Sequence, residues 1–267
     1  MFFKIRKNVI FFCIVITCLF LAYATYMFYT EFHALDPSAN VGLLLFYNLQ
    51  SAGMYFVYVL VLLLIASNSV GLSNLMDYKT KFVLFEFLRE KSIEKTILKQ
   101  LKGNFIFSFM VSLLLKLVYL LYIHLFLRPI DLSIPLAGSY DQSLVPGIIM
   151  NLLFYLLLSS IGFGIFSVFL QLIGLFIKND YVFRGLGIVI GILLIIGPAV
   201  LGSLSDQLAF LSNVLFLPML ITPGIDTLPI VSQYPPIFVV GASLLIYAFI
   251  TILLAWLWIR KVEKYDI

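Results

Sequence analysis

The chain has 267 residues, of which 63% are hydrophobic and 11% are charged, and its formal net charge is +4. Because a soluble domain carries about 25% charged residues, this composition excludes an ordinary soluble globular protein and indicates a membrane protein. The longest stretch outside the apolar runs, about 67–103, is too short for a soluble domain of its own.

Six apolar runs are each long enough to cross a bilayer, since ~20 helical residues at 1.5 Å rise span ~30 Å of hydrocarbon. We expect the first run to be retained rather than cleaved as a signal peptide, because it continues into a belt of aromatic residues. The predicted fold is all-α, a single transmembrane domain over 1–267. The six predicted spans cover about 9–30, 43–66, 104–127, 146–177, 185–203 and 237–259.

Polar side chains interrupt the second and fourth of these spans. Asn48 and Tyr55 share a helical face of the second span, and Asn151 lies at a similar depth in the fourth. Polar side chains in hydrocarbon are more often hydrogen-bond partners between helices than contacts to a transported molecule. Both interpretations stay open, and the three residues are candidates for lining a translocation path.

The connection between the second and third spans, 67–103, carries much of the charge of the chain. After Ser92, a predicted N-cap, Glu94 falls in the first turn of a helix and Lys99 and Lys102 in its last, an order that the helix dipole favours. Apolar residues recur at a spacing of four and form a separate stripe. This amphipathic segment is either a helix that lies on lipid headgroups or a docking surface for a cytoplasmic partner. The predicted docking residues are Phe85, Glu86, Leu88, Arg89, Glu90, Ile93 and Ile97.

Lys116 is the only charged residue well inside a predicted span. A lysine at this depth costs about 2.5 to 3.5 kcal/mol on insertion scales, so it usually faces a cavity or a partner. We predict that Lys116 faces the translocation path and meets an anionic or carbonyl-rich part of the cargo. The alternative is a lysine that snorkels to the interface from a third span that begins later than residue 104.

The fifth span and the connection after it have distinct packing signals. Gly187 and Gly191 form a G-x-x-x-G motif, which permits close approach of another helix. In the connection 204–236, the apolar segment 208–221 is too short to cross a membrane, and prolines interrupt any longer helix. We expect this segment to enter the membrane as a re-entrant hairpin and pack on the spans as an outer lid, the alternative being a loop on the headgroups.

Lys and Arg residues that flank membrane spans stay on the cytoplasmic side, and this rule orients the chain. With Lys4, Arg6 and Lys7 inside, six spans also place 67–103, 178–184 and the C-terminal tail inside. These four segments hold 15 of the 17 basic residues, whereas the outer connections are acidic. Both termini are therefore predicted to be cytoplasmic.

The residues present exclude several kinds of membrane chemistry. No predicted span contains the Asp or Glu that proton- or sodium-coupled carriers generally need, and the chain has no G-x-x-x-x-G-K-[ST] phosphate loop. His33 and His124 lie on different segments without a cluster of Cys or carboxylate ligands. We expect no catalytic residues, no metal and no cofactor in this chain, so energy for uphill transport would come from another chain.

The whole chain resembles the permease subunits of ATP-binding-cassette exporters, in the type 2 permease group that serves peptides, drugs and polysaccharides. The resemblance rests on the basic start "MFFKIRKN", the segment "FEFLREKSIEKTILKQLKGN" between the second and third spans, and "LSDQLAFLSNVLFLPMLITPGIDTLPIVSQYPP" before the sixth. It implies a coupling helix in 67–103, re-entrant outer helices in 204–236, and dimerisation through spans one and five, which would place Gly187 and Gly191 at the interface.

We therefore expect a membrane-spanning permease subunit of an ATP-driven exporter in a bacterial cytoplasmic membrane, which moves a hydrophobic or amphipathic cargo such as a peptide. Its expected partners are ATP-binding-cassette ATPase subunits that bind ATP and Mg²⁺, a second permease copy or a sister permease, and membrane lipid, with no nucleic acid. The alternative function is a non-transporting immunity or sensor subunit whose cytoplasmic segment binds a regulator.

Overall fold

The computed structural model describes residues 7–33, 40–50, 93–134, 144–177, 180–205, 208–224 and 234–264. Within these ranges every regular element is helical. In chain order the helices are α1 (Lys7–Met27), α2 (Val41–Asn48), α3 (Ile93–Tyr122), α4 (Ile148–Leu175), α5 (Asp180–Leu204), α6 (Ala209–Leu215), α7 (Leu217–Ile221) and α8 (Pro236–Lys264).

Five helices in the described ranges are long and apolar enough to cross a membrane, which agrees with a multi-pass membrane protein. They correspond to the first, third, fourth, fifth and sixth predicted spans. The second predicted span, 43–66, begins within α2 and otherwise lies outside the described residues. The apolar segments are Ile14–Phe32, Ile97–Leu127, Ile148–Leu175, Gly185–Leu204 and Pro236–Arg260.

The helix α3 is continuous from its charged start into the membrane segment. The predicted helix end near Lys102 is wrong, because α3 runs through Gly103 and Asn104 without a break as far as Tyr122. Both of these residues are buried, and the Asn104 side chain bonds to α4, so neighbouring packing offsets their low helix propensity. The charged turn and the membrane segment therefore form one rod, ~45 Å long for its 30 residues.

Helices α1 and α3 both end in π-helical turns, Phe28–Phe32 and Ile123–Leu127. The N–H of His33 donates to Phe28 O at 2.7 Å, and that of Arg128 donates to Ile123 O at 2.9 Å, both five residues back along the chain. The two helices meet just before these turns. There, the hydroxyls of Thr25 and Tyr122 are 2.7 Å apart, and the rings of Phe20 and Tyr119 are 5.4 Å apart.

The helix α4 lies at the centre of the described bundle, where it packs against α3, α5, α7 and α8. Its second half is buried almost throughout because small and polar residues let neighbouring backbones approach. Gly162 is the clearest case, since a Cβ at this position would overlap Leu220 O and lie 2.8 Å from Leu220 C in α7.

The short helices α6 and α7 fill a buried site beside α4, α5 and α8. Phe216 joins them with an extended backbone, and Pro218 lies in the first turn of α7, so they cannot form one straight helix. Val214 and Met219 from the two short helices pack with Val239 of α8. The re-entrant hairpin and the outer lid over 204–236 stay predictions.

Hydroxyl groups from the long helices satisfy the carbonyls that α6 and α7 leave unpaired at their ends. The Tyr247 hydroxyl donates to Leu215 O at 2.7 Å, and the Ser159 hydroxyl donates to Ile221 O. The last carbonyls of any helix lack partners within that helix. In a buried, apolar site such groups are costly if unpaired, so these two bonds let short helices sit inside the bundle.

The side chain of Asn40 ties the start of α2 to the connection after α3. Its oxygen accepts from Leu43 N as an N-cap at 3.3 Å, while its nitrogen donates to Asp131 O at 2.5 Å. Asp131 in turn accepts from the hydroxyl and the N–H of Ser133, at 2.6 and 2.9 Å. Hydrogen bonds from the Ser133 hydroxyl and backbone lower the pKa of the exposed Asp131 carboxyl.

Candidate functional site

The Lys116 side chain is completely buried in the interior of the protein. Its exposed fraction is 0%, and Nζ donates to Ser112 Oγ at 2.5 Å. The apolar segment of α3 begins at Ile97, earlier than predicted, which places Lys116 ~28 Å from that end and ~16 Å from Leu127. Both observations argue against the snorkelling alternative, because the apolar segment begins before residue 104 and the ammonium group does not reach the surface of the chain.

Lys116 ends a polar stripe that runs along one face of α3. Asn104, Ser108, Ser112 and Lys116 follow one another at every fourth position, and each is at most 2% exposed. Residues four apart lie close together on a helix surface, so the four side chains form one continuous stripe along α3.

The first half of the stripe, Asn104 and Ser108, meets Ser167 and Gln171 of α4. Asn104 Nδ2 donates to Gln171 Oε1 at 2.9 Å and to Ser167 Oγ at 3.1 Å, and Ser108 Oγ donates to Ser167 Oγ at 2.7 Å. We call the six residues Asn104, Ser108, Ser112, Lys116, Ser167 and Gln171 the polar seam.

Close contact between the two backbones shields the seam from lipid. A Cβ added at Gly164 of α4 would lie 2.8 Å from the ring of Phe105 and 3.3 Å from Phe105 O. From Asn104 to Ser108 the residue number rises along α3, while the partner on α4 goes back from Gln171 to Ser167. The two helices are therefore antiparallel. This register brings Lys116 to the level of Ser159, where the seam approaches the α7 contact.

Donor groups at both ends of the seam have fewer partners among the described residues than they can use. Gln171 Nε2 is buried without a partner among the described residues. The ammonium group of Lys116 has three donors and one partner in the same part of the chain, Ser112. No ion pair joins Lys116 to a carboxylate of the described ranges, and by sequence no predicted span contains Asp or Glu.

A second buried polar contact lies nearer the start of α4. The Tyr155 hydroxyl donates to Gln50 Oε1 at 2.5 Å, and both residues are 1% exposed. The Tyr155 ring also meets the rings of Phe46 and Tyr47 edge-on. This contact joins α4 to the residues that follow α2, one helical turn from the level of Lys116.

Three other residues were predicted to line the translocation path: Asn48, Tyr55 and Asn151. Asn48 is half-buried at the end of α2, and Tyr55 lies outside the described residues. Asn151 accepts from Leu144 N at 2.8 Å, so its side chain holds the connection before α4 against the first turn of that helix. Asn151 therefore has a structural partner, and the path role of all three stays a prediction.

The predicted docking surface is described only at its end. Phe85, Glu86, Leu88, Arg89 and Glu90 lie outside the described residues, and Ile93 is the first residue of α3. Ile97 is 6% exposed and packs with Leu101 against Val168 and Leu172 of α4. The charged side of the same turns is exposed, at Glu94, Lys95, Lys99 and Lys102. The amphipathic pattern is thus confirmed here, with its apolar stripe turned toward the chain's own core.

Gly187 and Gly191 are both buried within the single chain. The exposed side of α5 carries branched and long apolar residues instead, Val189, Leu193, Ile196 and Val200. The dimer interface through the two glycines stays a prediction.

The two histidines have structural roles in the described ranges. His124 Nδ1 accepts a hydrogen bond from Ile130 N at 3.0 Å. The ring of His33 stacks on the ring of Tyr29, with 5.9 Å between the ring centroids. Among the described residues no three His, Cys, Asp or Glu side chains come together as a metal site would require. The polar seam is therefore the candidate functional site.

Sequence reasoning identified Lys116 but missed the seam around it. The spacing of Asn104, Ser108, Ser112 and Lys116 could be read from the sequence, whereas the partners on α4 follow only from the packing. No family model, no curated protein and no solved structure matches the chain.

Proposed function

We propose that this chain is the membrane-spanning permease subunit of an ATP-driven exporter, in which a separate ATPase supplies the energy. The observation that carries the proposal is the continuity of α3, which joins the exposed charged turn at Glu94–Lys102 to the buried Lys116 in one helix. A push or tilt at the charged end of a rigid helix displaces its membrane end as well.

The polar seam supports a transport role over a purely structural one. Lysine within a membrane is costly and is normally retained where it faces a path, a cavity or a partner. The side-chain hydrogen bonds of the serines and amides already hold α3 against α4 without a charged group, so packing alone does not require Lys116. In the proposed cycle, α3 and α4 separate along the seam and expose Lys116 to the cargo.

Under this proposal, the short helices α6 and α7 form an outer lid. They are buried against α4 and α8, and their free carbonyls are held by Ser159 and Tyr247. Non-helical backbone at membrane depth is tolerated where protein covers it. We include in the proposal a re-entrant hairpin over 204–236, a sixth span within 43–66 and a bacterial cytoplasmic membrane with both termini inside.

The partners in this proposal are two ATPase subunits and a second permease copy or sister permease. The segment preceding α3 would seat in the ATPase through Leu88 and its apolar neighbours, because truncation of a buried anchor in an interface typically costs ~2 kcal/mol or more. Charges at the rim of an interface mainly affect the rate of association. ATP and Mg²⁺ would bind the ATPase, and the cargo would be hydrophobic or amphipathic, with a peptide as the leading class.

The test is affinity purification of the tagged full chain from its native membranes. The expected result is co-purification of an ATP-binding-cassette ATPase whose ATP turnover changes when the chain is present. Leu88→Asp should lose the ATPase, because a carboxylate cannot be buried in an apolar groove, while the matched control Lys99→Ala should retain it.

Two outcomes would contradict the proposal. If Leu88→Asp retains the ATPase at wild-type stoichiometry and exports normally, the docking argument fails. If the purified complex contains a regulator and no ATPase, the alternative of an immunity or sensor subunit replaces the permease.

A further inference from the structure

We propose that the polar seam at Lys116 is a binding site for the carboxylate of an apolar peptide, with Lys116 and Ser112 as its first ligands. The inference rests on the proposed function for its meaning in transport, since it names the chemical group of the cargo that the permease would recognise. The binding itself does not depend on an ATPase.

The charge of Lys116 is the first reason for an anionic ligand. The ammonium group is completely buried, and its partner in the described ranges is a neutral hydroxyl. An isolated ammonium ion is strongly destabilised away from water unless an opposite charge accompanies it. The predicted spans contain no Asp or Glu, so in this proposal the ligand supplies the anion.

Buried N–H groups without partners among the described residues are the second and independent reason. Gln171 Nε2, on the α4 side of the seam, is buried and lacks an acceptor among the described residues. It lies near Asn104, about three helical turns from Lys116, so the two ends of the seam each present unused N–H groups. A peptide carries acceptors at both a terminal carboxylate and successive carbonyls, and so it matches both ends.

The single positive charge and the surroundings select a carboxylate on an apolar chain. One ammonium group and one hydroxyl match the two oxygens of a carboxylate, with Nζ donating to one and Ser112 Oγ donating to the other. A phosphate dianion would leave a negative charge unmatched, because Lys116 is the one basic residue within the predicted spans. Leu115 of α3 and Phe163 of α4 belong to one buried hydrophobic core, which favours apolar groups next to the carboxylate.

The test compares two peptides that differ only at the carboxyl end. N-acetyl-leucyl-phenylalanyl-leucine and its C-terminal amide are titrated by calorimetry into the full chain in lipid nanodiscs, with empty nanodiscs subtracted to remove partitioning into lipid. We expect the acid to bind about tenfold to 100-fold more tightly than the amide, as for a charge-assisted hydrogen bond. Equal affinities of the acid and the amide would overturn the proposal without any variant.

Variants then assign the effect to Lys116. Lys116→Met keeps a chain of similar length without the charge and should abolish the preference for the acid, whereas Lys116→Arg should keep it. The matched control Lys99→Met removes an exposed lysine of the same helix and should leave the preference unchanged. If Lys116→Met still binds the acid more tightly than the amide, the proposed site is wrong. If acetate binds wild type as tightly as the tripeptide acid does, the assignment to a carboxylate on an apolar chain is wrong. Selective binding of the acid, together with no ATPase in the affinity purification from native membranes, would leave the site standing and overturn the permease function alone.

Discussion

Replacing Gly162 by alanine tests whether α7 is seated against α4 as the structure has it. The added Cβ would overlap the backbone carbonyl of Leu220, so α7 has to move away from α4. Overpacking of this kind costs about 1 to 3 kcal/mol. Displacement of α7 also breaks the bond from Ser159 Oγ to Ile221 O, which adds about 1 kcal/mol.

The expected total for Gly162→Ala is therefore about 2 to 4 kcal/mol, or roughly 5 to 15 °C in the midpoint of thermal unfolding. The measurement is the fraction of monodisperse protein that remains after heating in detergent. The matched control is Gly241→Ala in α8, where a Cβ would meet nothing within 4 Å and the better helix propensity of alanine should hold or raise the midpoint. Equal midpoints for Gly162→Ala and wild type would refute the close contact between α4 and α7.

Three further predictions concern other parts of the chain. Tyr247→Phe should lower the free energy of unfolding by about 1 to 3 kcal/mol, because Leu215 O loses its donor in a buried site, and chemical denaturation in micelles measures the change. Ser133→Ala should raise the pKa of the Asp131 carboxyl toward its usual value, which a ¹³C NMR titration measures. In the wild type, the ionised carboxyl stabilises this turn above the usual pKa of aspartate. That stability is lost as the pH falls through the lowered pKa of Asp131. In a variant without native cysteines, Ser139→Cys should react with an impermeant thiol reagent in intact cells and Thr80→Cys should not, whereas the reverse pattern would invert the predicted topology.

The apolar runs predicted the membrane helices well because span length is fixed by the thickness of the hydrocarbon. The start of α3 was harder to predict, since Lys99 and Lys102 look like the end of a surface helix. In the structure these lysines stay exposed on one side while Ile97 and Leu101 pack against α4, so charge and burial share the same turns. Composition averages over both faces of a helix, so it cannot show that one face of these turns is buried while the other is exposed.

The partners of the polar residues could not be predicted from local sequence. Tyr155 and Gln50 are 105 residues apart, and Ser108 and Ser167 are 59 apart. Periodicity identifies which residues of a helix share a face, but it does not identify the helix that the face meets. The same limit applies to Gly187 and Gly191, whose motif indicates close packing without stating whether the neighbour belongs to the same chain.

The polar seam also constrains the order in which the chain can be built. During synthesis Ser108 leaves the ribosome 59 residues before its partner Ser167, a delay of about 3 to 12 s at 5 to 20 residues per second. For that interval α3 carries Asn104, two serines and Lys116 on a face with no helix to meet it. The insertion machinery has to shelter this face until α4 arrives. A nascent chain truncated between α3 and α4 should therefore be degraded by membrane proteases faster than one truncated after α4.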